Sequence, residues 1–126
     1  MNNILLTFLG AVYCIIAYYV VIIAHEFGHA LVYRSHKGKW PKISFSNKGF
    51  SITLDGLDDR QKAGVLLIGI VFGYLTIGLL YNTVWAWHYG LNLMITSFLT
   101  IYYTWSCTHD FRLFFRITKR LKPHDN

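Results

Sequence analysis

Two histidines and one glutamate stand in the stretch AHEFGHALVYR, residues 24–34, directly after a run of apolar and small residues without a formal charge. In HEFGH the histidines are four residues apart, so on a helix both imidazoles lie on one face and can share a metal ion. Zinc suits this arrangement, because it binds imidazole nitrogen and keeps a position for a water molecule whose pKa falls toward about 7. The pattern predicts one zinc ion held by His25 and His29, with Glu26 as the general base that activates the water.

The rest of the chain shows where such a site would lie. Of its 126 residues, 54% are hydrophobic and only 14% are charged, against about 25% charged in an average soluble domain. Three uncharged runs account for the imbalance, and each has about the length of a membrane-spanning helix. The sequence therefore predicts a single all-α membrane domain over residues 1–126. Its three transmembrane helices are expected at about 4–33, 62–87 and 91–117.

Basic residues predict the orientation of these helices. All twelve lysines and arginines lie either between the first two uncharged runs, 4–23 and 63–87, or after the third, 91–108. By the positive-inside rule, the N-terminus is outside, and the long loop and the C-terminus are cytoplasmic. Attraction to anionic lipid headgroups accounts for the net charge of +6, so nucleic-acid binding is not expected. Trp85, Trp87 and His88 are expected in an aromatic belt at the outer interface.

The loop between the first two spans carries the strand pattern of the chain. Apolar residues alternate with polar ones on both sides of the turn sequence SNKG, which predicts a small cytoplasmic-side β-hairpin over about residues 42–54. An edge strand has unpaired N–H and C=O groups, so such a hairpin can accept an extended peptide by strand addition. Phe45, Phe50 and Ile52 are the predicted substrate-binding residues. The alternative is a surface hairpin that only connects two helices.

A third protein ligand should come from the same membrane depth as HEFGH. Ile4 and His25 are 21 residues apart, about 32 Å along a helix, and Leu91 and Asp110 are 19 residues apart, about 29 Å. Because the first and third spans run in the same direction, Asp110 is the predicted ligand. His109 points about 100° away on the same helix and is its local competitor.

Two alternatives without a metal stay open at this point. HEFGH could be a juxtamembrane polar cluster among lipid headgroups, although ionisable groups at membrane depth usually pair, ligate or line a cavity. Asp110 could instead cap its helix and pair with Arg112 or Arg116.

With these residues in view, the chain resembles the site-2 protease family of intramembrane zinc metalloproteases. The resemblance covers roughly residues 10–120 and rests on HEFGHA, on the basic loop with its hairpin, and on CTHDFRLFFR, where Asp110 matches the aspartate ligand of the family. It implies a three-helix core that cleaves a membrane-spanning substrate near the cytoplasmic face. His25, His29 and Asp110 would be ligands of one zinc ion, and Glu26 would be catalytic.

The chain departs from the family pattern in its second helix. Family members usually carry a Gly-Pro dipeptide followed by asparagine there, whereas this chain reads FGYLTIG, so another group such as Thr76 would have to replace the asparagine. The string LDG, typical of the aspartate ligand, occurs at residues 54–56 before the second span. Asp55 is therefore the competing ligand to Asp110.

These observations predict a minimal zinc metalloendopeptidase that acts on a membrane protein or a membrane-bound peptide. The alternative is a non-catalytic metal-binding membrane scaffold, or an accessory or immunity protein, that keeps the helix pair without turnover. A chain of three helices also leaves open its association with another copy of itself, or with an accessory membrane protein that supplies further helices.

Overall fold

The computed structural model describes residues 2–46, 49–83 and 89–122 and is mostly helical, with one two-stranded antiparallel sheet. The elements in chain order are α1 (Asn3–Lys37), β1 (Ile43–Ser46), β2 (Gly49–Ile52), α2 (Asp59–Thr83), α3 (Tyr89–Ser106) and α4 (Thr108–Leu121). At this level the predicted helical fold with a hairpin between the first two long helices is confirmed. Trp85, Trp87 and His88 lie outside the described residues.

Two helices of the described chain, α1 and α2, are long and apolar enough to cross a membrane. Their apolar side chains point outward to a large extent. Ile4, Phe8 and Ile15 of α1, and Leu75 and Leu79 of α2, are at least 60% exposed. Apolar faces of this kind are suited to contact with lipid or with another protein.

The first helix extends past its predicted end at residue 33. The Asn2 side chain caps its N-terminus by accepting a hydrogen bond from the backbone N–H of Ile4. At the other end, Gly38 adopts the left-handed conformation, with φ of 71°, and its N–H donates to the carbonyl oxygen of Arg34. The last turn is therefore polar and basic while still helical.

The predicted third helix, residues 91–117, needs a correction, because the structure divides it at Cys107 into α3 and α4. Cys107 has φ of −86° and ψ of 2°, outside the helical region, although helix-type hydrogen bonds continue on both sides of it. The Thr108 hydroxyl lies 2.8 Å from the carbonyl oxygen of Trp105 and 3.3 Å from that of Thr104, so it shares its proton with carbonyl groups at the end of α3. With 18 residues, α3 is about 27 Å long.

The helix that follows the bend differs in character from α3. Four cations are exposed on α4 while Ile117 on another face is buried. The cations are Arg112, Arg116, Lys119 and Arg120. This amphipathic pattern is typical of a helix that lies at an interface rather than one that spans a bilayer.

Glycines allow α1 and α2 to approach closely. A Cβ atom on Gly28, inside the HEFGH motif, would lie 3.0 Å from the Cα atom of Gly69 and 3.1 Å from the carbonyl oxygen of Ile68. Small residues at such crossings let helix backbones meet, as is common in membrane proteins. The crossing therefore fixes the motif directly against the second helix.

The hairpin confirms the predicted strands and shows their register. Ile43 pairs with Ile52 and Phe45 with Phe50, and β2 is the strand that contacts α1. Turn residues 47 and 48 lie outside the described residues.

Candidate metal centre

Three potential ligand atoms converge from two helices, α1 and α4. The Nε2 atoms of His25 and His29 are 2.9 Å apart, and Oδ2 of Asp110 lies 2.8 Å from the first and 3.1 Å from the second. Both histidines are buried, and Asp110 is partly buried in the first turn of α4. Among the described residues, these three form a group that could hold a metal ion.

The orientation of the His29 ring is fixed by the second helix. Its Nδ1 atom lies 2.8 Å from the backbone carbonyl oxygen of Val65. A carbonyl oxygen only accepts hydrogen bonds, so Nδ1 carries the proton and Nε2 keeps its lone pair. The ring lies directly over Gly69, where a Cβ atom would overlap it.

The orientation of the His25 ring is fixed by a tyrosine of α3. Nδ1 of His25 lies 2.7 Å from the hydroxyl oxygen of Tyr103, and that hydroxyl lies 3.0 Å from the carbonyl oxygen of Ile70. The tyrosine has one proton, which it donates to the carbonyl oxygen, so it accepts the proton of His25 Nδ1. Tyr103 is fully buried and lies over Gly73, where a Cβ atom would overlap its ring.

The positions of the protons on the two imidazole rings show whether these residues can bind a metal ion. With both Nδ1 atoms acting as donors, both Nε2 atoms present lone pairs to each other and to the Asp110 carboxylate. Three electron-pair donors within 2.8–3.1 Å repel one another unless a cation or extra protons lie between them. Imidazole nitrogen and carboxylate oxygen are ligands that zinc accepts, and hydrogen bonds from the remote ring nitrogens are typical of metal-ligating histidines. The residues therefore fit a zinc ion.

The structure brings Asp110, and not Asp55, to the histidines. The backbone carbonyl oxygen of Asp55 accepts a hydrogen bond from the Tyr33 hydroxyl at 3.3 Å, and Asp55 lines a separate cavity. Within the described ranges, Asp110 forms ion pairs with His25 and His29. No guanidinium nitrogen of Arg112 or Arg116, both of which the structure describes, lies within 4.0 Å of its carboxylate oxygens. The exposed His109 is not part of the three-residue group.

Two cavities flank the centre, and Glu26 lines both of them. The larger has a volume of about 630 Å³ and the smaller about 180 Å³. Ser51 of β2, His109 and Asp110 also line both cavities. No hydrogen bond or ion pair links the Glu26 carboxylate to another residue in the part of the chain that the structure describes. Glu26 thus lies beside the three potential ligand residues and next to cavities that could hold a substrate. Unlike Asp110, it forms no hydrogen bond with either histidine.

The predicted substrate-binding residues lie at different distances from these cavities. Ile52 lines the smaller cavity beside Glu26 and His29. Phe45 is 83% exposed on the hairpin. Phe50 is described by its backbone pairing with Phe45 and not by its side chain.

Residues that support the centre were not identified from the sequence. Tyr103 and Val65 orient the two imidazoles, and Gly69 and Gly73 make room for the rings. The glycines carry a usable signal, because GIVFG at residues 69–73 is a small-xxx-small helix-packing motif. Thr76, considered as a substitute for the family's asparagine, donates its hydroxyl proton to the carbonyl oxygen of Phe72 on its own helix.

Comparisons with models of protein families, with curated proteins and with solved structures found no match for this chain.

Proposed function

We propose that this chain is an integral membrane zinc metalloprotease, similar to the site-2 protease family, which hydrolyses a peptide bond in or beside a membrane-spanning substrate. The observation that carries the proposal is the convergence of His25, His29 and Asp110, with Nδ1 of each histidine hydrogen-bonded to a residue outside this group. A site arranged in this way presents three lone pairs to one cation. Zinc held there supplies a Lewis acid and a water ligand of lowered pKa.

Glu26 is the proposed general base. It follows His25 directly, lines both cavities next to the ligand group, and has no ion-pair partner among the described residues that would hold it elsewhere. A carboxylate in this position takes a proton from the attacking water and returns it to the amine that leaves when the peptide bond breaks. Asp110 cannot take this role while it is bound between the two histidines.

The outer edge of β2 is the proposed substrate-binding edge. Thr53 N–H donates to the carbonyl oxygen of Lys42 across the hairpin at 3.1 Å, which makes this a hydrogen-bonded pair. Bonded and non-bonded pairs alternate in an antiparallel ladder, so the backbone groups of Phe50 and Ile52 point away from β1. An extended peptide added to this edge would lie beside the cavity that Ile52, Glu26 and His29 line.

The proposed topology has three crossings, with the N-terminus outside and the hairpin and C-terminus in the cytoplasm. The two long apolar helices and the absence of any lysine or arginine before residue 34 support it. In this arrangement α3 makes the third crossing, and α4 lies along the cytoplasmic interface with its cations toward the headgroups. Asp110, in the first turn of α4, then lies against His25 and His29 of α1.

Cleavage of a co-expressed membrane-spanning substrate tests the proposal. Glu26→Gln keeps the size of the side chain and removes its basicity, so the variant should accumulate to the normal level and leave the substrate intact. Cleavage at an unchanged rate in this variant would contradict the protease assignment. Lack of cleavage by the wild type across a panel of membrane substrates, with zinc bound, would favour the non-catalytic scaffold.

A further inference from the structure

A second polar cavity lies between the end of α1 and the hairpin, separate from the metal centre. Its volume is about 410 Å³. The residues that line it are Tyr33, Lys37, Lys39, Trp40, Lys42, Thr53, Asp55 and Gly56. None of them lines either of the two cavities beside Glu26, so the proposed protease reaction does not account for this cavity.

Positive charge dominates the lining of this cavity. Three of its residues are lysines and one, Asp55, is acidic, which leaves a net charge of +2. In the described ranges of the chain, no carboxylate lies within 4.0 Å of the ammonium groups of these lysines. Three cations around one concave space repel one another, and an anion bound among them would relieve that repulsion.

Gly56 shapes the wall opposite α1. Its φ of 79° is the left-handed conformation, and a Cβ atom there would lie 3.1 Å from the Lys37 ammonium nitrogen. The glycine therefore gives the loop its turn and leaves room for the ammonium group. Lys37 is thus held at the rim between the helix and the loop.

The cavity lies where the apolar length of α1 ends. Arg34 begins the basic last turn of the helix, and its guanidinium lies 4.5 Å above the ring of Trp40. A half-exposed tryptophan stacked on an arginine is typical of the boundary between the hydrocarbon core and the headgroups. Anything bound in the cavity would therefore be at the depth of lipid phosphates.

We propose that this cavity binds a phosphate group, held by Lys37, Lys39 and Lys42. Charge-assisted hydrogen bonds from ammonium groups suit phosphate oxygens, and basic clusters at the end of a membrane helix attract anionic lipids. The group can be the headgroup of an anionic phospholipid or free phosphate. The site is independent of the metal centre, so its failure would leave the proposed protease function untouched.

Native mass spectrometry of the full chain released from nanodiscs tests the proposal. Nanodiscs of phosphatidylcholine mixed with phosphatidic acid should yield protein with one retained phosphatidic acid, and nanodiscs of pure phosphatidylcholine should yield none. The variant K37Q/K39Q/K42Q should lose the retained phosphatidic acid, because it removes the three ammonium groups that donate charge-assisted hydrogen bonds to the phosphate oxygens. Its thermal unfolding temperature in detergent should match that of the wild type, which shows that it folds.

The matched control removes the same charge elsewhere. R116Q/K119Q/R120Q takes three exposed cations from α4, so it lowers general attraction to anionic lipid equally but should keep the retained phosphatidic acid. Equal losses in both triple variants, or equal retention of the two lipids by the wild type, would overturn the proposal. Inorganic phosphate titrated into detergent-solubilised protein that retains the lipid distinguishes a site for free phosphate from a site for a lipid headgroup. If it displaces the lipid, the site takes either one, and if it does not, the site is specific for lipid.

Discussion

The Nδ1 atom of His29 on α1 donates a hydrogen bond to the backbone carbonyl oxygen of Val65 on α2, at 2.8 Å. This contact fixes the tautomer of the imidazole and points the lone pair of Nε2 at Asp110. It exists because Gly28 and Gly69 let the two helices meet at the motif. The metal chemistry proposed for α1 therefore depends on a backbone group of α2.

Tyr103 orients the His25 ring through its Nδ1 atom, as Val65 orients the His29 ring. Tyr103→Phe should therefore weaken metal binding. The phenylalanine keeps the buried ring but removes the hydroxyl acceptor of His25 Nδ1–H, which leaves that nitrogen with the weaker contact to Cys107 Sγ at 3.7 Å. Loss of such a partner typically lowers metal affinity by about 10- to 100-fold. A competition titration against a chelator measures the change. Tyr102→Phe is the control, because Tyr102 is 61% exposed, and an equal loss in both variants would contradict the role of Tyr103.

Gly69→Ala should displace His29 and lower both stability and zinc content. The new methyl group would overlap the imidazole, and overpacking of this kind costs about 1–3 kcal/mol. Gly78→Ala on the same helix meets nothing within 4 Å and should be neutral or stabilising by up to about 1 kcal/mol. Thermal unfolding in detergent and metal analysis check both variants. If Gly69→Ala kept full zinc content and stability, the close packing at the motif would be wrong.

The sequence predicted those helices and strands that a pattern within one short stretch of residues indicates. The apolar runs indicated α1 and α2, and alternation in the loop indicated β1 and β2. The break of the third helix at Cys107 was missed, because no glycine or proline marks it. The break lies at a cysteine, Cys107, whose backbone conformation no local sequence signal predicts.

The candidate site was predictable to a similar extent. The spacing in HEFGH places His25 and His29 together, and matching helix depths selected Asp110 over Asp55. Tyr103 and Val65 were out of reach, because their role comes from side chain and backbone contacts between helices that no short pattern encodes. The small-xxx-small pair Gly69 and Gly73 was visible, but only the packed structure shows which rings lie over it.

Asp110→Ala should strip zinc from the protein, whereas Asp55→Ala should not. Asp110 contacts both histidines, and Asp55 lines the lysine-rich cavity. Metal analysis of the two purified variants distinguishes them. Zinc retained in the first variant and lost in the second would show that the ligand is the aspartate of the LDG string.

Ile52→Pro should slow substrate cleavage without loss of zinc. Proline removes an N–H group from the outer edge of β2, and one lost hydrogen bond of about 0.5–1.5 kcal/mol corresponds to roughly a two- to tenfold slower reaction. Ile43→Pro is the matched control, since Ile43 is the pairing partner of Ile52 and has its N–H on the far edge of β1. If both variants cleaved equally well, substrate binding at the edge of β2 would be ruled out.

Metal analysis of the purified wild type alongside Glu26→Gln tests the proposed zinc centre most directly. We predict one zinc ion per chain in both proteins, because His25, His29 and Asp110 are the proposed ligands and Glu26 is not. Cleavage measured on the same samples should be confined to the wild type. A wild-type protein that holds no zinc after purification without chelators and after zinc is added back would contradict the account, and loss of zinc in Glu26→Gln would make Glu26 a ligand instead of the base.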